Sequence, residues 1–279
     1  MLLPRFEYRA ARTVGEAMTL WAEQPGARFM AGGTDLIAQM RTRRKVSRVI
    51  DVKPIPELNQ IRESEDGGVA IGAAVTLTAI CEHPRVRERY PVLVECASQV
   101  GAYALRNRAT LAGNICNASP AADTAVALLA LEAKVVAANM DRSRVIPIEE
   151  FFLGPGKSAL EDGELVTEIV LPARSAGFQG SYHRQSRRRG MDLASVAVLV
   201  AKGGNGTPQY RVGLVSVAPT PLRARAAEEL LEEEGPGAVA RAAEAARLAC
   251  SPITDARASA EYRREMVGVL TARGLAALA

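Results

Sequence analysis

The chain has few side chains that could bind a metal ion. Its 279 residues include only two histidines, His83 and His183, and four cysteines, at positions 81, 96, 116 and 250. No two of these cysteines form the closely spaced pair that zinc ribbons and iron–sulfur sites need. We therefore expect no metal site in this chain, and we interpret the cysteines as small buried apolar residues.

Long apolar runs and strong net charge are also missing. Pro4 and Arg5 interrupt the short apolar start of the chain, so we expect no secretory signal. No apolar run reaches the roughly 18 residues of a membrane helix, which predicts no membrane span and a cytoplasmic location. The formal net charge of +4 and the aromatic content of 4% give no support for nucleic-acid binding.

The pattern of strands and helices changes near residue 175. Before it, short strands alternate with helices, and Pro54 and Pro56 mark a junction between parts of about 1–55 and 56–174. After it, three strands at 180–184, 195–201 and 209–217 precede alanine- and glutamate-rich helices. Strands followed by helices without alternation indicate an α+β domain over 175–279, with a three-stranded antiparallel sheet. Gly274 is a candidate for an interruption of the last predicted helix, 258–278.

Two glycines stand where a short buried strand meets a helix, in the stretch FMAGGTDL at residues 29–36. Gly32 and Gly33 can adopt positive φ and leave room for a ligand beside the backbone. The amides of residues 31–35 can converge on an anion, and Thr34 adds a hydroxyl. Asp35 would repel a phosphate, so we interpret it as the cap of the helix that begins at Leu36. The alternative is a plain strand-to-helix turn.

A second stretch, TLAGNICNASPAAD at residues 110–123, is rich in small and hydrogen-bonding residues. Gly113 and Asn114 again permit close approach of a ligand to the backbone. Ser119 is predicted to cap a helix from Pro120 to Leu131, and the helix dipole favours a carboxylate at Asp123. Asp123 could equally bind sugar or ribitol hydroxyls. The alternative is a turn whose polar residues satisfy their own backbone.

Two further segments have features of phosphate or anion sites, and one common dinucleotide motif is missing. GPGKS at 154–158 resembles the end of a Walker A loop, but Phe151 occupies the position of its first glycine, so we assign no phosphate site there. No GxGxxG follows a predicted strand, which leaves a Rossmann site unsupported. Four arginines fall between Arg184 and Arg189. They form either a solvated basic loop or a loop over an anionic or electron-rich ligand.

In combination, these motifs resemble the medium, FAD-binding subunit of the molybdenum hydroxylases, the family of xanthine dehydrogenase and aerobic carbon monoxide dehydrogenase. AGGTDL and TLAGNICNASPAAD resemble its two flavin loops, and GELVTEIVLP at 163–172 and RASAEYRREM at 257–266 resemble its later signatures. The resemblance implies an α+β fold: a two-subdomain FAD-binding domain of the vanillyl-alcohol oxidase (PCMH) type over 1–174, followed by a C-terminal domain over 175–279.

The resemblance also implies a set of FAD-binding residues and no catalytic ones. The loop with Thr34 would hold the pyrophosphate, the second loop would close on it, and Asp123 would take ribose or ribitol hydroxyls. Arg184 would lie near the isoalloxazine, under a loop of residues 185–192. The predicted cofactor-binding residues are Phe29, Met30, Ala31, Gly32, Gly33, Thr34, Asp35, Leu36, Val100, Thr110, Gly113, Asn114, Ser119, Asp123, Leu165, Val166 and Arg184.

One departure concerns the flavin ring. Val100 stands where fused eukaryotic relatives carry an aromatic residue, so ring stacking would come from elsewhere, with Tyr103 and Tyr182 as candidates.

The implied function is electron transfer. A small subunit with [2Fe-2S] clusters and a large molybdopterin subunit would join this chain, in a dimer of heterotrimers. FAD would pass electrons to an external acceptor: NAD, a quinone, a cytochrome or oxygen. Two other functions remain open at this point: a stand-alone FAD-dependent oxidoreductase with its own substrate, and a non-catalytic nucleotide-binding subunit.

Overall fold

The structure is a computed structural model that describes residues 3–42, 45–64, 66–174, 178–188, 190–204 and 208–278. The strands are β1 (Glu7–Ala10), β2 (Arg28–Met30), β3 (Arg48–Asp51), β4 (Ile61–Glu63), β5 (Val69–Gly72), β6 (Lys134–Ala138), β7 (Ser143–Pro147), β8 (Phe152–Gly154), β9 (Lys157–Ser158), β10 (Leu165–Leu171), β11 (Gln179–Gln185), β12 (Val196–Gly203), β13 (Gln209–Val215) and β14 (Leu222–Arg223). The α-helices are α1 (Val14–Ala22), α2 (Leu36–Thr42), α3 (Leu77–Glu82), α4 (Pro84–Arg89), α5 (Pro91–Ser98), α6 (Tyr103–Arg106), α7 (Leu111–Cys116), α8 (Asp123–Ala130), α9 (Ile148–Phe151), α10 (Arg225–Glu234), α11 (Val239–Leu248) and α12 (Ala260–Ala276).

The N-terminal part is built on a small parallel sheet with strand order β1-β3-β2. The sequence TVGE at residues 13–16 predicts a capping box, and the structure has one at the start of α1. Thr13 Oγ1 accepts a hydrogen bond from the Glu16 amide over 3.1 Å, and the Glu16 carboxylate accepts one from the Arg12 amide over 2.7 Å. β2 leads directly into the first glycine loop and then into α2, as predicted. β1 pairs along β3 but was not predicted from the sequence.

The middle part contains a five-stranded antiparallel sheet with order β4-β5-β10-β6-β7 and a layer of helices. α8 is completely buried, from Asp123 to Ala130. It begins three residues later than predicted, because the chain turns at Ser119, whose Oγ accepts from the Ala121 amide at 3.2 Å. The prediction of Ser119 as the cap of a helix that starts at Pro120 is therefore wrong.

The C-terminal part has a four-stranded antiparallel sheet with order β11-β12-β13-β14. The three predicted strands are present, and the short β14 adds a fourth. Gly274 does not interrupt the last helix, since α12 runs continuously through it. A Cβ at Gly274 would lie 2.7 Å from Cγ2 of Val200, so the glycine allows the helix to pack closely on β12. Two short 3-10 helices, Pro56–Asn59 and Gly235–Ala238, complete the structure.

β12 is buried on both faces, which explains its uninterrupted apolar sequence. Val196, Val198 and Val200 belong to a core beneath α10, α11 and α12. Ala197 and Leu199 belong instead to the core of the middle part. The C-terminal sheet therefore packs directly on the middle part of the chain.

The predicted domain boundary at 174/175 remains a prediction, since residues 175–177 lie outside the described residues. No helix in the described ranges combines the length and the apolar character that a membrane crossing requires.

Candidate cofactor site

The first glycine loop presents unpaired backbone amides. Gly33 has φ +74°, a left-handed conformation that favours glycine. The amides of residues 32–35 make no hydrogen bond to any other group in the described part of the chain, whereas the Gly33 and Asp35 carbonyls accept the first bonds of α2. Such amides can bind an anionic group.

The first part of the second loop is the short helix α7, a feature that sequence reasoning missed. Thr110 Oγ1 caps α7 by accepting a hydrogen bond from the Gly113 amide over 2.9 Å. Gly113 itself is exposed. Asn114 is held from the other side, where its Oδ1 accepts from Thr124 Oγ1 over 2.5 Å.

The two loops contact each other directly. Asn117, in the second loop, accepts a hydrogen bond from Gln39 Nε2 over 3.0 Å and donates to Asp35 Oδ1 over 3.4 Å. A Cβ added to Gly32 would lie 2.3 Å from the carbonyl oxygen of Arg108, so this glycine is required for the close approach. The loops therefore face one another across the junction of the two N-terminal subdomains.

Between the loops lies a cavity of about 380 Å³, the first cavity. Its lining residues are Arg28, Phe29, Met30, Ala31, Gly32, Gly33, Thr34, Asp35, Leu36, Gln39, Val100, Leu105, Ala109, Thr110, Gly113, Asn114, Cys116, Asn117, Gly156 and Ser158. Twelve of the predicted cofactor-binding residues are in this list, from Phe29 to Leu36 and at Val100, Thr110, Gly113 and Asn114.

A second cavity, of about 390 Å³, adjoins the first. Its lining residues are Trp21, Arg28, Phe29, Ala31, Val52, Ala73, Ala112, Gly113, Cys116, Leu160, Glu161, Asp162, Gly163, Glu164, Leu165 and Val166. The predicted residues Leu165 and Val166 lie here. Arg28, Phe29, Ala31, Gly113 and Cys116 line both cavities and mark where they meet.

Asp123, Arg184 and Ser119 do not line either of these cavities. The Asp123 side chain is buried, where its Oδ1 accepts hydrogen bonds from Tyr182 Oη over 2.5 Å and from Arg184 Nε over 2.9 Å. Burial raises the pKa of the Asp123 carboxyl, although its bonds with Tyr182 and Arg184 act in the opposite direction. The same burial raises the pKa of the Tyr182 hydroxyl well above its usual value. In this arrangement Asp123 serves the protein's own hydrogen bonds, and its predicted contact with FAD stays a prediction.

The arginine-rich segment is held by internal contacts where it is described. Arg187 Nη2 lies 3.0 Å from Asp192 Oδ1, and the Arg188 Nε donates to the Met191 carbonyl over 2.9 Å. Arg189 lies outside the described residues. Tyr182 is part of the main core and Tyr103 is largely exposed, so neither lines the two cavities.

Sequence reasoning missed several lining residues. Gly156 and Ser158 belong to the GPGKS segment that was set aside as an incomplete Walker A loop. The segment reaches the cavity because the Gly156 amide donates to the Ala118 carbonyl beside the second loop. Its glycine and serine were a usable signal, but for a different site from the one considered. Cys116 lies where the cavities meet, and burial raises the pKa of its thiol to about 12, so it stays protonated at neutral pH.

The site fits a dinucleotide. Each cavity is within the range of about 300–1,000 Å³ that small-molecule sites occupy. The free amides of residues 32–35 lie in the first cavity and suit a pyrophosphate, while a cavity on each side of the junction offers space for a ring system. Among the described residues, no group of three or more histidine, cysteine, aspartate or glutamate side chains is placed to hold a metal ion.

The fold and the site define a two-subdomain dinucleotide-binding protein with an additional C-terminal domain, and comparison with known proteins identifies the family. Residues 4–174 match the FAD binding domain in molybdopterin dehydrogenase, and residues 181–278 match the CO dehydrogenase flavoprotein C-terminal domain. The chain therefore belongs to the FAD-binding subunits of the molybdenum hydroxylases. FAD is its cofactor, and the predicted α+β fold is confirmed.

Individual relatives cover nearly the whole chain. The carbon monoxide dehydrogenase medium chain of Hydrogenophaga pseudoflava is 36% identical over 99% of this chain and 97% of its own. The putative xanthine dehydrogenase FAD-binding subunit of Escherichia coli is 30% identical over 95% of this chain and 92% of its own. A solved structure of the Hydrogenophaga pseudoflava carbon monoxide dehydrogenase superposes with a TM-score of 0.94, at 36% identity, over 100% of this chain and 98% of that one.

Proposed function

We propose that this chain is the electron-transfer subunit of a cytoplasmic heterotrimeric molybdenum hydroxylase. In such a complex, bound FAD takes electrons from [2Fe-2S] clusters of a small subunit and delivers them to an external acceptor, while a large molybdopterin subunit carries out the substrate chemistry. Arrangement as a dimer of heterotrimers belongs to the same proposal. The acceptor belongs to the class of NAD, quinones, cytochromes and oxygen.

The observation that carries the proposal is the facing pair of loops. The amides of residues 32–35 and the polar side chains of Thr34 and Asn114 surround one cavity. Neither His83 nor His183 lines either cavity, so no histidine is positioned as a general base beside the cofactor. This arrangement suits a subunit that binds and orients a redox cofactor while another chain binds the substrate.

The protein's own residues have clear tasks in this scheme. The first loop binds the pyrophosphate through its amides, and α7 presents Gly113 and Asn114 from the opposite side. Asn117 fixes the separation of the loops through its bonds to Gln39 and Asp35. The side chains of Phe29, Leu165 and Val166 give the second cavity an apolar wall.

The test is to purify the complex from its native host through an affinity tag on this chain. We expect a yellow-brown complex that releases non-covalent FAD on denaturation. The preparation should also hold about four iron atoms and about one molybdenum atom for each FAD, as two [2Fe-2S] clusters and one molybdenum cofactor require.

Three other results would contradict the proposal or its cofactor. A chain that purifies alone with FAD and oxidises a small substrate would support a stand-alone FAD-dependent oxidoreductase. A colourless chain without flavin absorbance would support a non-catalytic nucleotide-binding subunit. Recovery of FMN in place of FAD would contradict the cofactor assignment.

A further inference from the structure

Arg263 occupies a position that is unfavourable for its charge. It lies near the N-terminal end of α12 and is fully buried, with 1% of its surface exposed. The helix dipole disfavours a cation at this end of a helix, and burial removes the hydration of the guanidinium. A buried ion pair is often no more stabilising than apolar residues of the same volume. Stability alone therefore does not account for an arginine at this position.

The guanidinium of Arg263 joins separate segments of the C-terminal part. Its Nη1 donates to the Ser195 carbonyl over 2.7 Å and to the Ser216 carbonyl over 2.8 Å. Its Nη2 donates to Asp255 Oδ1 over 2.6 Å. Ser195 directly precedes β12, and Ser216 directly follows β13, its neighbour in the sheet. Arg263 therefore fixes the ends of two paired strands relative to each other.

Ser216 has a backbone conformation that is costly for a residue with a side chain. Its φ is +67°, in the left-handed region, and the residue is buried. Its carbonyl accepts the hydrogen bond from Arg263, and its Oγ donates to the Ala194 carbonyl over 2.9 Å. These hydrogen bonds offset the cost of the left-handed conformation.

The left-handed turn connects Ser216 with the second loop. The Ser216 amide donates to the Pro120 carbonyl over 2.7 Å. Pro120 lies three residues after Asn117, which lines the first cavity. Between them, Ala118 is also left-handed, at φ +45°, and its carbonyl accepts from the Gly156 amide over 2.9 Å. The stretch from the cavity to Pro120 is thus held near each end, and the C-terminal part supplies one of the holding contacts.

We propose that Arg263 is a positioning residue for the cofactor site. By holding Ser216 in its left-handed conformation, Arg263 sets the position of Pro120 and, through it, of the end of the second loop that lines the first cavity. Arg263 itself lines neither cavity, so its effect on FAD passes through Ser216 and the loop. The inference rests on the proposed function only in that the chain must bind FAD.

The test measures FAD affinity and stability separately in the FAD-free full chain. Arg263→Met removes the guanidinium and should weaken FAD binding by roughly 2- to 30-fold, the range for a residue that acts on a site through intermediate contacts. Arg263→Lys keeps the charge but loses the planar set of donors, so it should weaken binding by a smaller factor. Titration followed by flavin fluorescence gives the Kd of FAD, and urea denaturation gives the stability.

Arg223 provides the matched control, because its side chain is 2% exposed, as is that of Arg263. It pairs with Glu132, Glu149 and Glu228, and none of these residues lines either cavity. Arg223→Met should therefore destabilise the chain but keep FAD affinity within about twofold of the wild type.

A second substitution separates positioning from general damage to the fold. Glycine adopts positive φ without a steric cost, so Ser216→Gly should restore most of the FAD affinity that Arg263→Met loses. It should not restore the stability, since Asp255 and the Ser195 carbonyl still lack their donor. A chain that binds FAD weakly only because its fold is damaged would regain neither.

The same step can be tested with Arg263 in place, which keeps the inference testable if Arg263→Met does not fold. Ser216→Ala and Ser216→Gly both lose the hydroxyl, but only alanine is strained at positive φ. Ser216→Ala should therefore bind FAD more weakly than Ser216→Gly.

Three results would overturn the inference. They are unchanged FAD affinity in Arg263→Met, a loss of affinity that Ser216→Gly does not reduce, and equal FAD affinity in Ser216→Ala and Ser216→Gly. In each of these cases the wild-type chain still binds FAD. A wild-type chain that binds no FAD would refute the proposed function itself.

Discussion

Arg184 Nε donates to Asp123 Oδ1 over 2.9 Å, and both side chains are almost completely buried, with exposed fractions of 10% and 7%. The pair connects β11 of the C-terminal sheet to Asp123, which is both the last residue of the second loop and the first residue of α8. Two residues that the family resemblance assigns to FAD thus contact each other, and their partnership ties the C-terminal domain to the cofactor-binding part.

Removal of Arg184 should therefore destabilise the fold whether or not FAD is present. We expect Arg184→Ala to lower the free energy of unfolding of the FAD-free chain by about 3–5 kcal/mol, because it leaves a buried carboxylate without its cation. Urea denaturation measures this change. Arg188→Ala, at a side chain that is 66% exposed, is the control and should stay within about 0.5 kcal/mol of the wild type. Equal stability of the two variants would show that the buried pair contributes nothing.

The contact between the two loops can be tested at Gly32. A Cβ there would overlap the Arg108 carbonyl, which belongs to the backbone and has little freedom to move. We expect Gly32→Ala to cost about 1–3 kcal/mol through overpacking and to weaken FAD binding by roughly 5- to 150-fold. Equilibrium titration with FAD and a thermal melt measure the two effects.

The matched control for Gly32 is Gly15, an exposed glycine on α1 with no atom within 4 Å of an added Cβ. Gly15→Ala should leave FAD affinity unchanged and leave stability equal or higher by up to about 1 kcal/mol, since alanine favours helix. Wild-type FAD affinity in Gly32→Ala would mean that the loops tolerate separation.

Local features of the site could be predicted from sequence, because they depend on neighbouring residues. The capping box at Thr13, the turn at Gly33 and the start of α2 at Leu36 all follow from short-range patterns. The contact between Asn117 and Gln39 joins residues 78 positions apart, and no local pattern encodes it. The same is true of the hydrogen bond between Asp123 and Tyr182, which lies 59 residues along the chain.

Two glycines show what sequence leaves open. Gly156 belongs to the segment set aside as an incomplete Walker A loop, and Gly274 suggests a helix break; in both cases sequence shows only that a side chain is missing. In the structure Gly156 lines the first cavity with φ +70° and has no atom within 4 Å of an added Cβ, whereas Gly274 leaves the space that Val200 needs. Backbone conformation therefore explains the first glycine, and a tertiary neighbour explains the second.

Asp255 predicts a specific loss of stability in acid. Its carboxylate accepts hydrogen bonds from Arg257 and from the fully buried Arg263, and these hold its pKa well below the usual value. A carboxyl with a depressed pKa in the folded state stabilises the fold above its unfolded pKa of about 3.9, and the contribution is lost as the pH falls below that value. We expect the free energy of unfolding to fall more steeply between about pH 4 and pH 2 in the wild type than in Asp255→Asn.

Urea denaturation at a series of pH values measures this difference. The two slopes should differ by at most about 1.4 kcal/mol per pH unit, the limit for one proton. Asp141→Asn, at an exposed aspartate in a turn, should keep the wild-type slope. An Asp255→Asn variant with the wild-type pH profile would show that the contribution of the Asp255–Arg263 hydrogen bond to stability does not depend on the charge of Asp255.

The last prediction compares two glycines on one helix. In α12, Gly274 faces β12 at a distance where a Cβ would collide with Val200, whereas a Cβ at Gly268 would find only ordinary contacts at 3.7 and 3.9 Å. Alanine favours helix over glycine by about 1 kcal/mol, so Gly268→Ala should raise the free energy of unfolding by up to that amount. Gly274→Ala should lower it by about 1–3 kcal/mol, because overpacking against the sheet outweighs the gain in helix propensity. Urea denaturation of both variants gives the sign of each change. A stabilised Gly274→Ala would mean that α12 can move away from the sheet at little cost, and that the close packing of this helix does not hold the C-terminal core together.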